Sequence, residues 1–204
     1  PLVPAERARS FMTMADLRQT LLSQGGVSAE DRQRVSQERE QALRNARESL
    51  IRAIDAKGDF ATAHFLLSQV ALREGRISDA IESLEKARAS TPGDIGILFQ
   101  LGLLYYQNQQ FGKSEDAFGY AVTVNPDYSN ARYFLGILLD RRGEKSTAIE
   151  QFKRVSTLNP ENAEVKQILQ NLRAGRGALE NTPPPPPERR REPPIREVTS
   201  GIIR

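Results

Sequence analysis

The sequence predicts an all-α protein built from tandem helix pairs, and two observations carry this prediction. First, three prolines are spaced 34 residues apart, at Pro92, Pro126 and Pro160. Second, apolar residues between the prolines recur at helical spacing, as in Leu98, Leu101, Leu104 and Tyr105. A self-similar period of this length is typical of helical repeat arrays, in which each unit stacks on its neighbours.

The 34-residue offset defines three tandem units, over 61–94, 95–128 and 129–162. Five further sets of residues share the offset: Leu67, Leu101 and Leu135; Ser68, Gly102 and Gly136; Ala80, Ser114 and Ala148; Leu84, Phe118 and Phe152; and Ala87, Ala121 and Val155. We expect the small residues of the first and second helices to let the helices approach closely. The large residues of the second helix are expected to pack against the next unit.

Glycine and proline mark the predicted helix ends. Gly75 and Gly143 occupy the turn between the two helices of their units, where a left-handed residue ends a helix. Gln109 stands at the same place in the middle unit, which predicts a small loss of stability. Proline cannot continue a helix, so each second helix is expected to end before it.

This pattern resembles the tetratricopeptide repeat family over 61–162. The matching features are the small first-helix residue, an apolar or aromatic residue three positions later (Ala71, Tyr105 and Leu139), and the terminal proline. The early tryptophan of the family is replaced by His64, Leu98 and Arg132. The resemblance implies a right-handed α-solenoid of helix-turn-helix units, with the first helices lining a concave face, in a non-catalytic protein-binding module.

Residues 1–60 are interpreted as an irregular helical pair, a degenerate repeat. An apolar stripe is predicted on the first helix from Phe11, Met14, Leu17, Leu21 and Leu22. Ser28 and Asp31 suggest a capping box before a long second helix that ends near Ala56. This helix carries small and apolar residues 34 positions before those of the first full unit, at Ala46, Leu50 and Ala53.

Residues 163–175 are predicted to form a capping helix that covers the last unit with Val165, Ile168, Leu169 and Leu172. Residues 176–204 are interpreted as a disordered tail rich in proline and arginine. Its uninterrupted prolines at 183–187 favour an extended polyproline II segment.

The composition excludes several classes of function. There is no cysteine and one histidine, His64, which is interpreted as structural, so we expect no metal or cofactor site. The net charge of +3 does not favour nucleic-acid binding, and no apolar run is long enough for direct membrane insertion. Gly112, Lys113 and Ser114 copy the end of a phosphate-binding loop, but Gln107 replaces its first glycine, so catalysis is not expected.

The resemblance assigns a partner-binding groove to first-helix positions. One column holds Phe65, Phe99 and Tyr133; the others contribute Gln69, Leu103 and Ile137, then Leu72 and Tyr106, then Arg73 and Arg141. The aromatic residues would anchor a helical or extended protein segment through its apolar side chains, and the arginines would orient an acidic flank. The aromatic column also has an alternative interpretation as packing.

Two further hypotheses remain open. The chain begins with Pro1, which suggests a piece of a longer protein. The repeats followed by a proline-rich tail resemble the C-terminal region of membrane-anchored bacterial proteins with an O-antigen ligase-like upstream domain. In that case the array would be a structural spacer or self-association domain. Separately, the prolines of the tail would fit an aromatic groove, on a partner or on this chain itself.

Overall fold

The computed structural model describes residues 2–23 and 25–180, and in these ranges the chain forms nine α-helices and no strand. The helices are α1 (Leu2–Ser23), α2 (Ala29–Ala56), α3 (Ala61–Arg73), α4 (Ile77–Ser90), α5 (Ile95–Gln107), α6 (Phe111–Val124), α7 (Ser129–Arg141), α8 (Lys145–Leu158) and α9 (Ala163–Arg173). They pack as consecutive helix pairs, so the predicted all-α helical-repeat fold is confirmed.

The same turn closes the first helix of each full unit. Gly75, Gln109 and Gly143 all have positive φ, at 74°, 57° and 90°. In each case the residue after it donates its backbone N–H to a carbonyl oxygen in the last turn of the first helix. In the first repeat, Arg76 donates to the Ala71 carbonyl oxygen at 2.8 Å. This is the Schellman arrangement, in which a left-handed residue lets the chain satisfy the last helical carbonyls. The predicted left-handed turns are confirmed, including the one at Gln109.

The chain consists of two compact units, Pro1–Leu104 and Tyr105–Arg204, which we call unit 1 and unit 2. The core of unit 1 joins α1, α2 and α3, and Ala46, Leu50 and Ala53, which share the 34-residue offset, are fully buried in it. His64 is also buried, and its Nε2 lies 3.0 Å from the Gly58 carbonyl oxygen, in agreement with a structural role.

The N-terminal pair shows one confirmed prediction and one error. The Ser28 hydroxyl accepts the Asp31 backbone N–H at 3.1 Å, as expected of the N-cap residue, but the Asp31 carboxylate accepts the Ser28 hydroxyl at 2.8 Å instead of the backbone N–H of a capping box. The predicted apolar stripe of α1 is wrong, because Met14, Leu17 and Leu21 are exposed. Of that stripe, Phe11 and Leu22 are half-buried. The buried face of α1 instead consists of Ala5, Ala8, Met12 and Ala15.

In unit 2, Gly136 makes room for the aromatic ring of Phe152 in its own helix pair, whereas the sequence analysis expected Phe152 to pack against the next repeat. A Cβ placed on Gly136 of α7 would lie 2.6 Å from Phe152 Cε2 of α8, so only glycine allows the ring this close. The Phe118 ring of α6 stacks on Phe134 of α7, with centroids 5.2 Å apart and 11° between the planes. This contact confirms that Phe118 packs against the following helix pair.

Helix α9 covers the end of unit 2 with the predicted residues, since Val165, Ile168, Leu169 and Leu172 are all buried. The prediction of a disordered tail from 176 is wrong for residues 176–180. Ala178 is 2% exposed, and its backbone N–H donates to Asp140 Oδ2 at 2.7 Å. The rest of the predicted tail, 181–204 with its proline run, lies outside the described residues.

Candidate functional site

The predicted groove residues of unit 1 lie mainly on α3. Phe65, Gln69 and Leu72 are half-buried, and Phe65 packs against the core of the unit. Gln69 Nε2 donates to Gln100 Oε1 of α5 at 2.6 Å, and this bond joins the first helices of two consecutive repeats.

The two predicted groove residues on α5, Phe99 and Leu103, differ in exposure. Phe99 is 9% exposed and therefore packs in the interior, whereas Leu103 is half-buried. In unit 1, Phe65, Leu72 and Leu103 are therefore the apolar groove positions that retain some exposure.

Arg73 is already bound within unit 1. Arg39 of α2 donates to the Arg73 carbonyl oxygen at 2.6 Å. Arg73 Nε and Nη2 donate to the two carboxylate oxygens of Asp16 on α1, at 2.8 and 2.9 Å. The hydrogen bonds from Arg73 lower the pKa of Asp16 below its usual value, although partial burial of the carboxylate opposes this effect. The acid that orients Arg73 is therefore part of the same chain, which the sequence analysis did not foresee.

Two predicted groove residues of unit 2 belong to its core. Tyr133 and Ile137 of α7 are 5% and 8% exposed. The Tyr133 hydroxyl donates to Glu164 Oε1 of α9 at 2.5 Å, and its ring packs edge-on against Phe152. Burial, reinforced by the Glu164 carboxylate, raises the pKa of Tyr133 far above its usual range. The packing interpretation therefore fits Tyr133 and Ile137 better than an anchor role.

Two other predicted residues of unit 2 keep accessible surface and lie around the same ring. The exposed Arg141 guanidinium lies over Phe111, with its carbon 3.9 Å from the ring centroid. Half-buried Tyr106 meets Phe111 edge-on at 5.6 Å and Phe134 at 6.0 Å. We call Tyr106, Phe111, Phe134 and Arg141 the stacked patch. Arg141 forms no ion pair with any residue that the structure describes.

Sequence reasoning missed Phe111 and Asp16. Phe111 is the first residue of α6, and the groove was assigned from first helices alone. Phe111 lies 30 residues before Arg141, so no local sequence signal points to their stacking. Asp16 lies 57 residues before Arg73, so only tertiary structure brings the pair together.

An open pocket in unit 1 carries no recognisable chemistry. It lies between α1 and α2 and is lined by Phe11, Asn45, Ser49 and charged residues. The Ser49 hydroxyl donates to the Asn45 carbonyl oxygen of its own helix at 2.9 Å. Among the described residues, no group of three acidic or histidine side chains could hold a metal ion. None of the described helices combines the length and apolarity of a membrane span.

A family model for the tetratricopeptide repeat matches residues 36–95 and 99–163, which together make up more than half of the chain. The chain belongs to the tetratricopeptide repeat family. Proteins of this family are generally non-catalytic interaction modules. The first match begins within α2, so the family model includes the part of residues 1–60 that was interpreted as the second helix of a degenerate repeat.

Known proteins share this fold at low sequence identity. A structure of MamA has a TM-score of 0.59 at 22% identity, covering 73% of this chain and 85% of MamA. YrrB, a repeat protein with an unusual peptide-binding site, has a TM-score of 0.60 at 19% identity, covering 81% of this chain and 75% of YrrB.

Two further relatives match over shorter stretches of this chain. The first repeat domain of Spaghetti (RPAP3), bound to the HSP90 peptide SRMEEVD, has a TM-score of 0.52 at 20% identity, covering 56% of this chain and 91% of that domain. The BBSome complex member BBS4 of Bos taurus is 28% identical over 93 residues, or 46% of this chain. The chain spans only 18% of the length of BBS4.

Proposed function

We propose that this protein is a non-catalytic interaction module that binds a segment of a protein partner at the stacked patch of unit 2. One observation carries the proposal. Arg141 lies exposed over the Phe111 ring, next to half-buried Tyr106, and has no carboxylate partner among the described residues. Family membership and the peptide-binding relatives support the same class of function.

The geometry favours a segment with one bulky apolar residue beside an acidic one. Stacking on Phe111 restrains the Arg141 guanidinium, so less conformational entropy is lost when its N–H groups bind a carboxylate. Tyr106 offers ring surface at low entropic cost, and residues of its type dominate the energetics of interfaces. The equivalent arginine of unit 1, Arg73, holds the Asp16 carboxylate through two hydrogen bonds, which supports a carboxylate as the ligand of Arg141.

The test is selection from a random peptide library, followed by affinity measurement. Peptides selected on the unmodified chain are measured by fluorescence anisotropy against Tyr106→Ser/Arg141→Ser. The matched control is Tyr120→Ser/Lys153→Ser, which removes an exposed tyrosine and a cation from the second helices of the same unit. Circular dichroism verifies that both variants fold.

We expect the selected peptides to carry an acidic residue beside an apolar one. The patch variant should bind them at least about tenfold more weakly, because loss of an aromatic or arginine hot spot costs more than 1 kcal/mol. The control should bind like the unmodified chain. Equal affinity for both variants, or no selectable peptide, would contradict the proposal.

Self-association is a second candidate, favoured by the outward face of α1. Leu17 and Leu21 are 60% and 46% exposed, and Val3 and Met14 lie on the same face. A second copy could cover this stripe with its own. Sedimentation equilibrium should then give a mass above 22.8 kDa for the unmodified chain and for the control Thr123→Glu/Thr157→Glu, which changes two exposed threonines of α6 and α8. The variant Leu17→Glu/Leu21→Glu should have the monomer mass of 22.8 kDa. If the unmodified chain also has the monomer mass, it does not self-associate through this face.

A further inference from the structure

The described chain ends against α7, the helix that carries Phe134 and Arg141 of the stacked patch. After α9 the backbone turns back, and Asn171 Nδ2 donates to the Ala178 carbonyl oxygen at 3.2 Å. Ala178 in turn donates to Asp140, the neighbour of Arg141, at 2.7 Å. Lys145 Nζ holds the same turn, donating to the Arg176 carbonyl oxygen at 2.7 Å and to Asp140 Oδ1 at 2.9 Å.

This turn is built into unit 2 and is not an incidental contact. Ala178 is 2% exposed and belongs to the same buried cluster as Tyr133, Ile137 and Leu169. Asn171, which ties the turn to α9, is 1% exposed, and its Oδ1 accepts from Arg176 Nη2 at 3.0 Å. The direction in which the following 24 residues leave the unit is therefore set by buried hydrogen bonds.

The sequence that follows has the chemistry that an aromatic patch accepts. Five prolines, 183–187, begin three residues after Glu180, within about 10 Å of extended chain. Polyproline II segments bind grooves lined by aromatic rings, because the preformed helix loses little entropy on binding. Glu188, the first charged residue after the prolines, is opposite in charge to Arg141.

We propose that the proline run 183–187 of this chain binds the stacked patch of its own unit 2 and competes there with a partner segment. A tethered segment has an effective concentration in the millimolar range, so even weak docking would compete with a free partner. The competition with a partner rests on the proposed function, because it assumes that a partner binds the stacked patch. The docking of the proline run on the patch does not depend on that function.

The experiment uses the full chain and its lack of cysteine. A spin label is attached at Arg189→Cys, which keeps Glu188, and relaxation enhancement is measured by NMR at the backbone amides of Gln110, Phe111 and Lys113. The matched chain carries the same label, but glycine and serine replace residues 183–187. The anchoring turn at Ala178 is identical in both chains. The flexible glycine-serine segment keeps the label closer to its anchor on average than a stiff polyproline segment does, so tethering alone would not make the enhancement larger in the chain with prolines.

We expect the enhancement at these amides to be at least about threefold larger in the chain with prolines. Equal enhancement in the two chains would overturn the proposal. Enhancement that arises only when isotope-labelled chains are mixed with spin-labelled ones would also overturn it, because the occupant would then be a second copy.

A second measurement separates this proposal from the partner-binding function. Peptides selected on the glycine-serine chain should bind it at least about threefold more tightly than the chain with prolines. If no peptide binds either chain, the partner-binding function fails, while the relaxation data still decide whether the tail docks. Equal peptide affinities together with equal relaxation would reject tail docking alone.

Discussion

Replacing Gly136 by alanine tests the close approach of α7 and α8. The new Cβ would lie 2.6 Å from Phe152 Cε2 and 2.9 Å from Cζ, well inside carbon van der Waals contact. Phe152 is fully buried, so its ring cannot move into solvent. Overpacking of this kind costs about 1–3 kcal/mol, and the helix propensity of alanine returns about 1 kcal/mol. We expect the free energy of unfolding to fall, by up to about 2 kcal/mol.

Gly119→Ala is the matched control, because Gly119 lies within α6 of the same unit and no atom lies within 4 Å of the added Cβ. At position 119 the added methyl group meets no neighbour, so only the higher helix propensity of alanine changes the free energy of unfolding, which should rise by about 0.5–1 kcal/mol. Both variants are compared with the unmodified chain by urea unfolding, monitored by far-ultraviolet circular dichroism.

A double variant checks that the Phe152 ring causes the loss. In a Phe152→Leu background the ring is gone, so adding Gly136→Ala should cost much less than it does in the unmodified chain. If Gly136→Ala is as stabilising as Gly119→Ala, or if its cost persists with leucine at 152, the reasoning from the ring contact is wrong.

Three further predictions concern a turn, an ion pair and a buried phenol. Gln109→Gly should raise the free energy of unfolding by about 0.5 kcal/mol, because a left-handed residue at φ 57° is strained unless it is glycine; a loss in urea unfolding would contradict this. Asp16→Asn should lower stability near neutral pH by less than about 1 kcal/mol, since the pair with Arg73 is partly exposed. Because the folded pKa of Asp16 is depressed, this difference should disappear as the pH falls below about 4 and through the folded pKa; a constant difference in urea midpoints would refute the assignment. Tyr133→Phe should cost about 1 kcal/mol in the same assay by removing the bond to Glu164. The folded chain should show the same alkaline tyrosine absorbance change with or without Tyr133, and a smaller change in the variant would show that this phenol ionises while folded.

Tertiary contacts explain why much of the candidate site could not be predicted. The aromatic column was recognised by its period, but Phe99 and Tyr133 are buried. For Tyr133, the covering contact comes from Glu164 of α9. The sequence period predicts which face of a helix a residue occupies. Whether the side chain is exposed depends on which other helices pack against that face. The stacked patch likewise needed Phe111 of α6, which does not belong to the first-helix pattern.

The sequence by itself determined the repeat length, the helix pairs and the turns between them. These features depend on local physics: helical spacing of apolar residues, a capping serine at 28, and left-handed residues such as Gly75 and Gly143. Tertiary structure alone decided which face of α1 is buried. Alanines such as Ala8 allow α1 and α2 to approach closely, which leaves the larger Leu17 outside.

The same distinction holds for the two arginines of the groove. Arg73 and Arg141 occupy equivalent positions in the sequence, yet Arg73 is bound by a distant aspartate and Arg141 stacks on a ring. Their partners come from other helices, so their availability is set by packing between helices and not by the repeat.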